Sequence, residues 1–155
     1  MKVMIITNEP NNKGREEAIK EIIDDFGRDG GFEFYAYGAR DYDIKIDKVT
    51  VIPTWEKYTL EAGILFSRYI GDTGRMLLVF EDGIIPPDVN KMIDYHINGQ
   101  YGITLSFCKK GGEYYACGVY VVEREYLDLA DGNISFERDI CIRCGENGEL
   151  GIFYD

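Results

Sequence analysis

The feature that most constrains this fold is a continuous apolar run, Met76 to Phe80, followed by an acidic turn. An unbroken run of this length is typical of a strand buried on both faces, as in the interior of a parallel sheet. Glu81-Asp82-Gly83 follows it, at the carboxyl end where open α/β sheets place their ligand crevices. The carboxylate pair therefore predicts a site for a divalent metal such as Mg²⁺, with Asp82 and Glu81 as ligands. The alternative is an ordinary solvated turn.

An amphipathic helix is predicted after this turn. Pro86-Pro87-Asp88 suits a helix start, and Asn98-Gly99 suits its end. The apolar positions of this helix recur on one face: Val89, Met92, Ile93, His96 and Ile97. His96 is the only histidine, so a general base is conceivable there, but its place on an apolar face predicts a core residue with one satisfied nitrogen.

A second candidate site lies after the first strand, Val3 to Ile6. A polar loop containing Pro10 and Gly14 leads into a helix with Glu16 and Glu17 in its first turn, and this geometry can cradle phosphate on backbone N–H groups. The loop matches neither a Walker motif nor a Gly-x-Gly-x-x-Gly motif, so an ordinary connection is the alternative. The residues predicted to contact a ligand here are Thr7, Asn8, Lys13 and Arg15.

Further elements follow along the chain. The pattern predicts strands near 32–37, 44–46, 49–52, 101–107, 114–122 and 150–154, and helices at 55–70, 124–130 and 135–144. Gly63 interrupts the first of these helices, which suggests close packing or the approach of a ligand. Strands alternating with helices predict a three-layer α/β/α sandwich with a mostly parallel, mixed sheet, in one domain spanning residues 1–155.

Charge and apolar content narrow the function classes. The formal net charge of −11 repels nucleic acid and anionic membrane, so neither is expected as a partner. Neither an apolar run of membrane-spanning length nor a signal peptide is recognisable, and we expect a cytoplasmic location.

The cysteines are expected to be reduced thiols, since disulfides are rare in the cytoplasm. The alternative is zinc. Cys141 and Cys144 have the spacing of a zinc knuckle, with Cys108 and Cys117 as third and fourth ligands. The second pair is spaced Cys-x₈-Cys, which argues against this, so zinc is not the expected cofactor.

From Leu77 onward the chain resembles the sugar-phosphate nucleotidyltransferases, which make nucleotide-sugars from a nucleoside triphosphate and a sugar 1-phosphate. The order of several short pieces carries the resemblance. In this sequence they are Leu78-Val79-Phe80-Glu81-Asp82-Gly83, Met92-Ile93-Asp94-Tyr95-His96, Gly102-Ile103-Thr104-Leu105, Cys117-Gly118-Val119-Tyr120-Val121-Val122 and Ser135-Phe136-Glu137-Arg138-Asp139-Ile140. Upstream of them, Glu61-Ala62-Gly63 lies where the family has Gly-Thr-Ala-Gly. The family resemblance implies a Rossmann-like nucleotide-diphospho-sugar transferase fold. It also implies that apolar helix residues occupy the positions of Cys141 and Cys144.

The departures from the family pattern concern its catalytic parts. The family's first loop is long and glycine-rich, with an Arg and a Lys for the triphosphate, whereas only seven residues lie between Thr7 and Arg15 here. The family's sugar-binding segment has no room between Phe107 and Tyr115. The match also ends at Tyr154, short of the family's second metal-binding Asp. In strict register, Gly83 occupies the position of the family's first metal-binding Asp, and Asp82 lies one residue earlier.

We therefore expect a truncated, catalytically degenerate member of this fold, a pseudoenzyme that binds a nucleotide, a sugar phosphate or a protein partner. The alternative is a minimal active nucleotidyltransferase using Asp82, Glu81, Lys13 and Arg15. A third hypothesis is a zinc-stabilised interaction module. A second copy of the chain is a further candidate partner.

Overall fold

The protein is described by a computed structural model, which covers residues 1–6, 12–26, 31–39, 46–53, 74–80, 87–129 and 134–155. These residues form a seven-stranded sheet in the order β3-β2-β1-β4-β6-β5-β7. The strands are β1 (Lys2–Ile6), β2 (Glu33–Ala39), β3 (Val49–Pro53), β4 (Arg75–Phe80), β5 (Ile103–Lys110), β6 (Glu113–Glu123) and β7 (Leu150–Tyr154). Only β6 runs antiparallel to its neighbours within this sheet. The predicted mostly parallel, mixed sheet is confirmed.

The described helices lie on both faces of the sheet. They are α1 (Asn12–Phe26), α2 (Val89–Gly99), α3 (Arg124–Leu127), a π-helical segment (Phe136–Cys141) and α4 (Ile142–Glu146). One core joins the sheet to α1 and α2 through residues such as Ile19, Leu77 and Met92. The other joins it to α3, the π-helical segment and α4, around Leu78 and Phe136. The predicted three-layer α/β/α sandwich is therefore confirmed.

The apolar run Met76 to Phe80 lies in β4, a central strand of the sheet. Its side chains are almost completely buried on both faces. This burial agrees with the unbroken apolar pattern, because a strand covered on both sides has no polar face. Strand β4 lies between β1, which is parallel to it, and β6, which is antiparallel.

The helix ends also follow from the sequence. Asp88 caps α2 by accepting a hydrogen bond from the backbone N–H of Lys91 at 3.1 Å, so the helix begins one residue later than Asp88. Ser135 caps the π-helical segment, as predicted, by accepting from the N–H of Arg138 at 3.4 Å. The predicted helix over 135–144 is thus two segments, one π-helical and one α-helical. Its predicted apolar face is buried at Phe136, Ile140 and Cys144.

Two predicted elements lie wholly or mostly outside the described residues: the helix at 55–70, which contains Gly63, and the short strand at 44–46. No helix among the described residues is both long and apolar enough to cross a lipid bilayer.

Candidate functional site

The carboxyl ends of β1 and β4 lie side by side. The two strands are parallel and in register, with Ile6 opposite Phe80. Thr7 and Asn8 continue the chain from Ile6, and Glu81 and Asp82 continue it from Phe80. All four, like Gly63, lie outside the described residues. The register supports grouping these four residues at one edge of the sheet, and their contacts stay predictions.

Helix α1 begins close to this edge in sequence. Strand β1 ends at Ile6 and α1 begins at Asn12, so five residues connect them. The first turn of α1 therefore includes Lys13 and Arg15, whose side chains are not among those described. A helix N-terminus carries partial positive charge and unpaired N–H groups, and cations in its first turn add to the attraction for an anion.

One sequence expectation about this helix is wrong. Glu16 and Glu17 were placed in the first turn, but the first turn of α1 contains no acidic residue. The helix starts at Asn12, earlier than expected, which puts both glutamates in the second turn. There Glu16 forms an ion pair with Lys20, four residues on. The field at the helix start is consequently less acidic than the sequence suggested.

Strands β5 and β6 form a continuous hairpin beside this edge. They are joined through Gly111 and Gly112, which have φ values of 62° and 93°, the left-handed region that glycine adopts readily. The register shifts further along the hairpin, where Gly118 also has a positive φ of 69°. A Cβ at Gly118 would lie 2.8 Å from the carbonyl oxygen of Phe80. Glycine therefore allows β6 to pass the end of β4 at close range.

The hairpin contains a disulfide between Cys108 and Cys117, so the prediction that all four cysteines are reduced is wrong for this pair. Cys108 lies opposite Tyr115 in the hairpin register, and Cys117 is two residues further along β6. Their Cα atoms are 5.9 Å apart, within the range that a disulfide spans. The Cys-x₈-Cys spacing around a glycine turn was the available signal, since it predicts facing strands.

The other two cysteines are buried free thiols. Burial raises the pKa of the Cys141 thiol to about 12, and it also raises the pKa of the Cys144 thiol. Because Cys108 and Cys117 are bonded to each other, these four cysteines do not form the zinc site considered above. Within the described ranges, no group of three or more His, Cys, Asp and Glu side chains is arranged to hold a metal ion.

His96 lies on α2, near the end of the sheet opposite to the carboxyl ends of β1 and β4. It is a core residue, as predicted. Its side chain is 1% exposed, and both ring nitrogens have partners, one more than expected. Nε2 lies 3.1 Å from the carboxylate of Glu123, and Nδ1 lies 2.8 Å from the hydroxyl of Thr104. An ionised carboxylate only accepts, so Nε2 carries the proton and Thr104 donates to Nδ1. Arg75 completes the group with an ion pair to Glu123 at 2.9 Å.

A polar cleft of about 360 Å³ opens beside this group. It is lined by Arg75, His96, Ile97, Gln100, Tyr101, Gly102, Glu123, Glu125 and Glu149. The cleft lies at the end of the sheet where β4, β5 and β7 begin and β6 ends, and it is bordered by α2 and α3. Thr7 and Asp82 follow their strands at the other end. The cleft is therefore separate from the predicted ligand site. Sequence reasoning missed this grouping because its members are far apart in the chain.

Stability should fall in acid because of His96. Burial lowers the pKa of His96 below its usual 6.5, although hydrogen bonding and charge from Glu123 oppose that shift. The unfolded chain then binds a proton at a higher pH than the folded protein does. The contribution of neutral, buried His96 to the free energy of unfolding is therefore complete above pH 6.5. It is lost as the pH falls from there through the folded-state pKa, at about 1.4 kcal/mol per pH unit between the unfolded-state and folded-state pKa values.

Chemical denaturation between pH 8 and pH 5 measures this effect against His96→Gln, which retains hydrogen-bonding groups without a titrating ring. The variant should show a shallower decline in free energy of unfolding. Identical slopes for the two proteins would show that His96 does not cause the pH dependence.

The strand order and the helices on both faces define a nucleotidyltransferase-like α/β fold. A protein from Bacillus anthracis assigned as a glucose-1-phosphate thymidylyltransferase, solved in complex with a sucrose, matches with a TM-score of 0.70 at 9% sequence identity. That match covers 99% of this chain and 86% of the other.

The HddC protein of Yersinia pseudotuberculosis matches with a TM-score of 0.68 at 13% identity, covering 99% of this chain and 89% of the other. Its complex with GMP-PN matches with a TM-score of 0.67 at 13% identity, covering 99% and 90%. At such low identities these likenesses show the fold alone. No protein-family model and no curated protein matches the sequence.

Proposed function

We propose that this nucleotidyltransferase-fold protein binds a nucleotide or a sugar phosphate at the β1–β4 edge of its sheet and does not transfer nucleotidyl groups. The connection between β1 and α1 carries this proposal. Five residues separate Ile6 from Asn12, which is too few for the long basic loop that holds a triphosphate in the enzymes this sequence resembles. Strands β1 and β4 nevertheless end side by side, which is where open α/β sheets place their ligand crevices.

The proposed ligand contacts combine a helix terminus with carboxylates. The N-terminus of α1, with Lys13 and Arg15 in its first turn, supplies the positive field for phosphate. Thr7 and Asn8 supply polar groups on the loop, Gly63 supplies a close approach, and Asp82 with Glu81 supplies oxygen ligands for Mg²⁺. A chain of net charge −11 repels a polyphosphate, so a bound divalent cation is needed to offset that repulsion.

The region where a sugar 1-phosphate would be expected to bind also supports binding without transfer. The turn between β5 and β6 consists of Gly111 and Gly112, so the hairpin has no inserted segment that would orient a sugar 1-phosphate. Transfer requires both substrates to be held in line at the α-phosphorus. A protein that can hold only one of the two substrates is suited to binding without transfer.

One observation favours the active alternative, a minimal nucleotidyltransferase. Lys13 and Arg15 share the first turn of α1 with no acidic residue, so the triphosphate would meet more positive charge than the sequence suggested. This alternative and the proposal above require the same binding edge and differ in turnover.

Calorimetric titration of nucleoside triphosphates, with and without Mg²⁺, tests the binding site. We expect weak binding that requires Mg²⁺ and is lost in Asp82→Asn. The matched control is Asp94→Asn, which makes the same charge change at an exposed position of α2. Lys13→Gln and Arg15→Gln should each weaken binding relative to the wild-type protein, because they reduce the positive field at the helix start. Tight, metal-independent binding that survives Asp82→Asn would place the nucleotide elsewhere.

A further inference from the structure

The polar cleft at the end of the sheet where β4, β5 and β7 begin is large enough for a small ligand. Its volume is about 360 Å³, within the range of roughly 300–1,000 Å³ that is common for ligand pockets. Distant parts of the chain form its walls: the end of α2, the start of α3 and the adjoining ends of β4 and β6. It lies at the other end of the sheet from the proposed nucleotide or sugar-phosphate site.

The charges that line the cleft are mostly negative. Glu123, Glu125 and Glu149 contribute three carboxylates, Arg75 contributes one cation, and His96 is neutral at pH 7 because burial lowers its pKa. The net charge of the lining is therefore −2. The whole chain adds to this negative potential with its net charge of −11. A nucleotide, a phosphate or another anion is repelled from such a cleft, whereas a cation is attracted to it.

The three carboxylates differ in how far other side chains already engage them. Glu123 is held by the guanidinium and the imidazole of the group described above. Glu149 accepts a hydrogen bond from the hydroxyl of Tyr126, which is fewer than the several that a carboxylate can accept. Glu125 is exposed and forms no ion pair with another residue in the described part of the chain. Glu125 and Glu149 therefore have capacity for a cationic ligand.

The arrangement of these carboxylates suits an organic cation better than a metal ion. A divalent metal requires several ligands that converge on one point. No such group of three or more His, Cys, Asp and Glu side chains exists within the ranges that the structure covers. An organic cation with ammonium groups spaced along a chain can instead reach two separate carboxylates. Each contact is then a charge-assisted hydrogen bond, which is stronger than one between neutral groups.

The cleft also offers apolar surface to the carbon chain of such a cation. Ile97 lines the cleft and is 45% exposed, whereas α2 buries its other apolar residues Val89 and Met92. Tyr101 lines it too and is held in place by stacking on Tyr95, with ring centroids 5.2 Å apart. Apolar surface beside carboxylates matches an alkylammonium ligand, because its methylene groups can cover the one while its ammonium groups bind the other.

We propose that this cleft binds an aliphatic polyamine such as spermidine, with ammonium groups at Glu125 and Glu149 and methylene groups against Ile97. The site needs neither a metal nor a phosphate, and it lies away from the β1–β4 edge. It therefore does not depend on the function proposed above. The side chain of a lysine has the same chemistry as an alkylamine, and the test distinguishes these two sources.

NMR titration of the isotope-labelled protein with spermidine, at a constant ionic strength of about 0.15 M, tests this proposal. We expect shifts of the backbone amides of Ile97, Gln100 and Gly102, which line the cleft. The dissociation constant should be roughly 0.1–1 mM, as suits a small ligand in an open site. Putrescine, which has one ammonium group fewer, should bind at least about threefold more weakly.

Three variants test the carboxylates. Glu125→Gln and Glu149→Gln should each weaken spermidine binding about fivefold, because each removes one charge-assisted contact. The matched control is Glu21→Gln, which makes the same charge change at an exposed position of α1. It should keep the dissociation constant within about twofold, because a distant exposed charge is screened at this ionic strength.

Four results would each overturn the polyamine site. The first is an absence of amide shifts with about 10 mM spermidine, well above the expected dissociation constant. The second is an equal loss of binding in Glu125→Gln and Glu21→Gln, because the attraction would then be to the overall charge. The third is displacement of spermidine by Mg²⁺ or Ca²⁺ with shifts of the same amides, which would indicate a metal site. The fourth is a trilysine peptide that binds at least about tenfold more tightly than spermidine, which would indicate a protein partner.

Nucleotide binding measured with Mg²⁺ should be unchanged in Glu125→Gln. This measurement separates failure of the polyamine site from failure of the nucleotide or sugar-phosphate site.

Discussion

We expect no release of pyrophosphate at an enzymatic rate when this protein is given any common nucleoside triphosphate together with any hexose 1-phosphate. The physical reason is the loss of groups that stabilise the charge developing on the leaving pyrophosphate. The five-residue connection before α1 has no room for a long basic loop, and the β5–β6 turn has no acceptor-binding segment. Removing one preorganised electrostatic contact costs about 10²- to 10³-fold in rate. Two such losses predict a rate about 10⁴- to 10⁶-fold below that of an intact enzyme.

A coupled assay for pyrophosphate, run over all pairs of nucleotides and sugar phosphates with Mg²⁺, measures this. The control variants are Asp82→Ala at the proposed metal site and Asp94→Ala on the exposed surface of α2. Turnover near one per second with any pair, abolished by Asp82→Ala and unaffected by Asp94→Ala, would establish the minimal enzyme and refute the non-catalytic proposal.

We expect the second large effect from the hairpin disulfide. Replacing both Cys108 and Cys117 by Ser should lower the free energy of unfolding by about 2–3 kcal/mol, because the bond closes a short loop and so restricts the unfolded chain. Equilibrium denaturation under non-reducing conditions measures the loss. Reductant should destabilise the wild-type protein by a similar amount and leave the double variant unchanged.

Thiol counting provides an independent test of the same bond. Unreduced protein, unfolded in denaturant, should present two reactive thiols, from Cys141 and Cys144, and four after reduction. Four thiols before reduction would show that the bond does not form in the purified protein. The expectation of reduced cysteines would then hold for the whole chain. The cytoplasmic location on which that expectation depended stays a prediction.

The fold was predictable to the extent that burial leaves a local pattern. Met76 to Phe80 is apolar throughout because both of its faces are covered. The alternation after Tyr101 predicted a strand correctly, although Thr104 and Ser106 are more deeply buried there than the apolar Leu105. The starts of α2 and of the π-helical segment were predicted near Asp88 and Ser135. Ser135 caps its segment as expected, whereas Asp88, expected in the first turn, is the capping residue of α2. The start of α1 was misplaced, because Gly14 suggested that the loop continues to that residue and the two glutamates suggested a later first turn.

The candidate sites were also predicted in part and missed in part. Thr7 and Asp82 were predicted because each follows a buried strand, and the parallel register of β1 with β4 supports their grouping. The contacts of His96 with Thr104 and Glu123 were not predicted. Nothing near His96 in the chain indicates that β5 and β6 bring those two residues to it. The packing of Tyr114 against Tyr154 was missed for the same reason, since the two residues are forty positions apart.

The sequence by itself predicted most of the described strands and helices and much of the buried core, and its net charge predicts that nucleic acid is not a partner. These properties depend on neighbours within a few positions and on the composition of the whole chain. Tertiary structure alone decided that β6 runs antiparallel between β4 and β5 and that Tyr154 packs against Tyr114. Such contacts depend on strand order and register, which are set by the summed packing of the sheet and leave no mark at either residue.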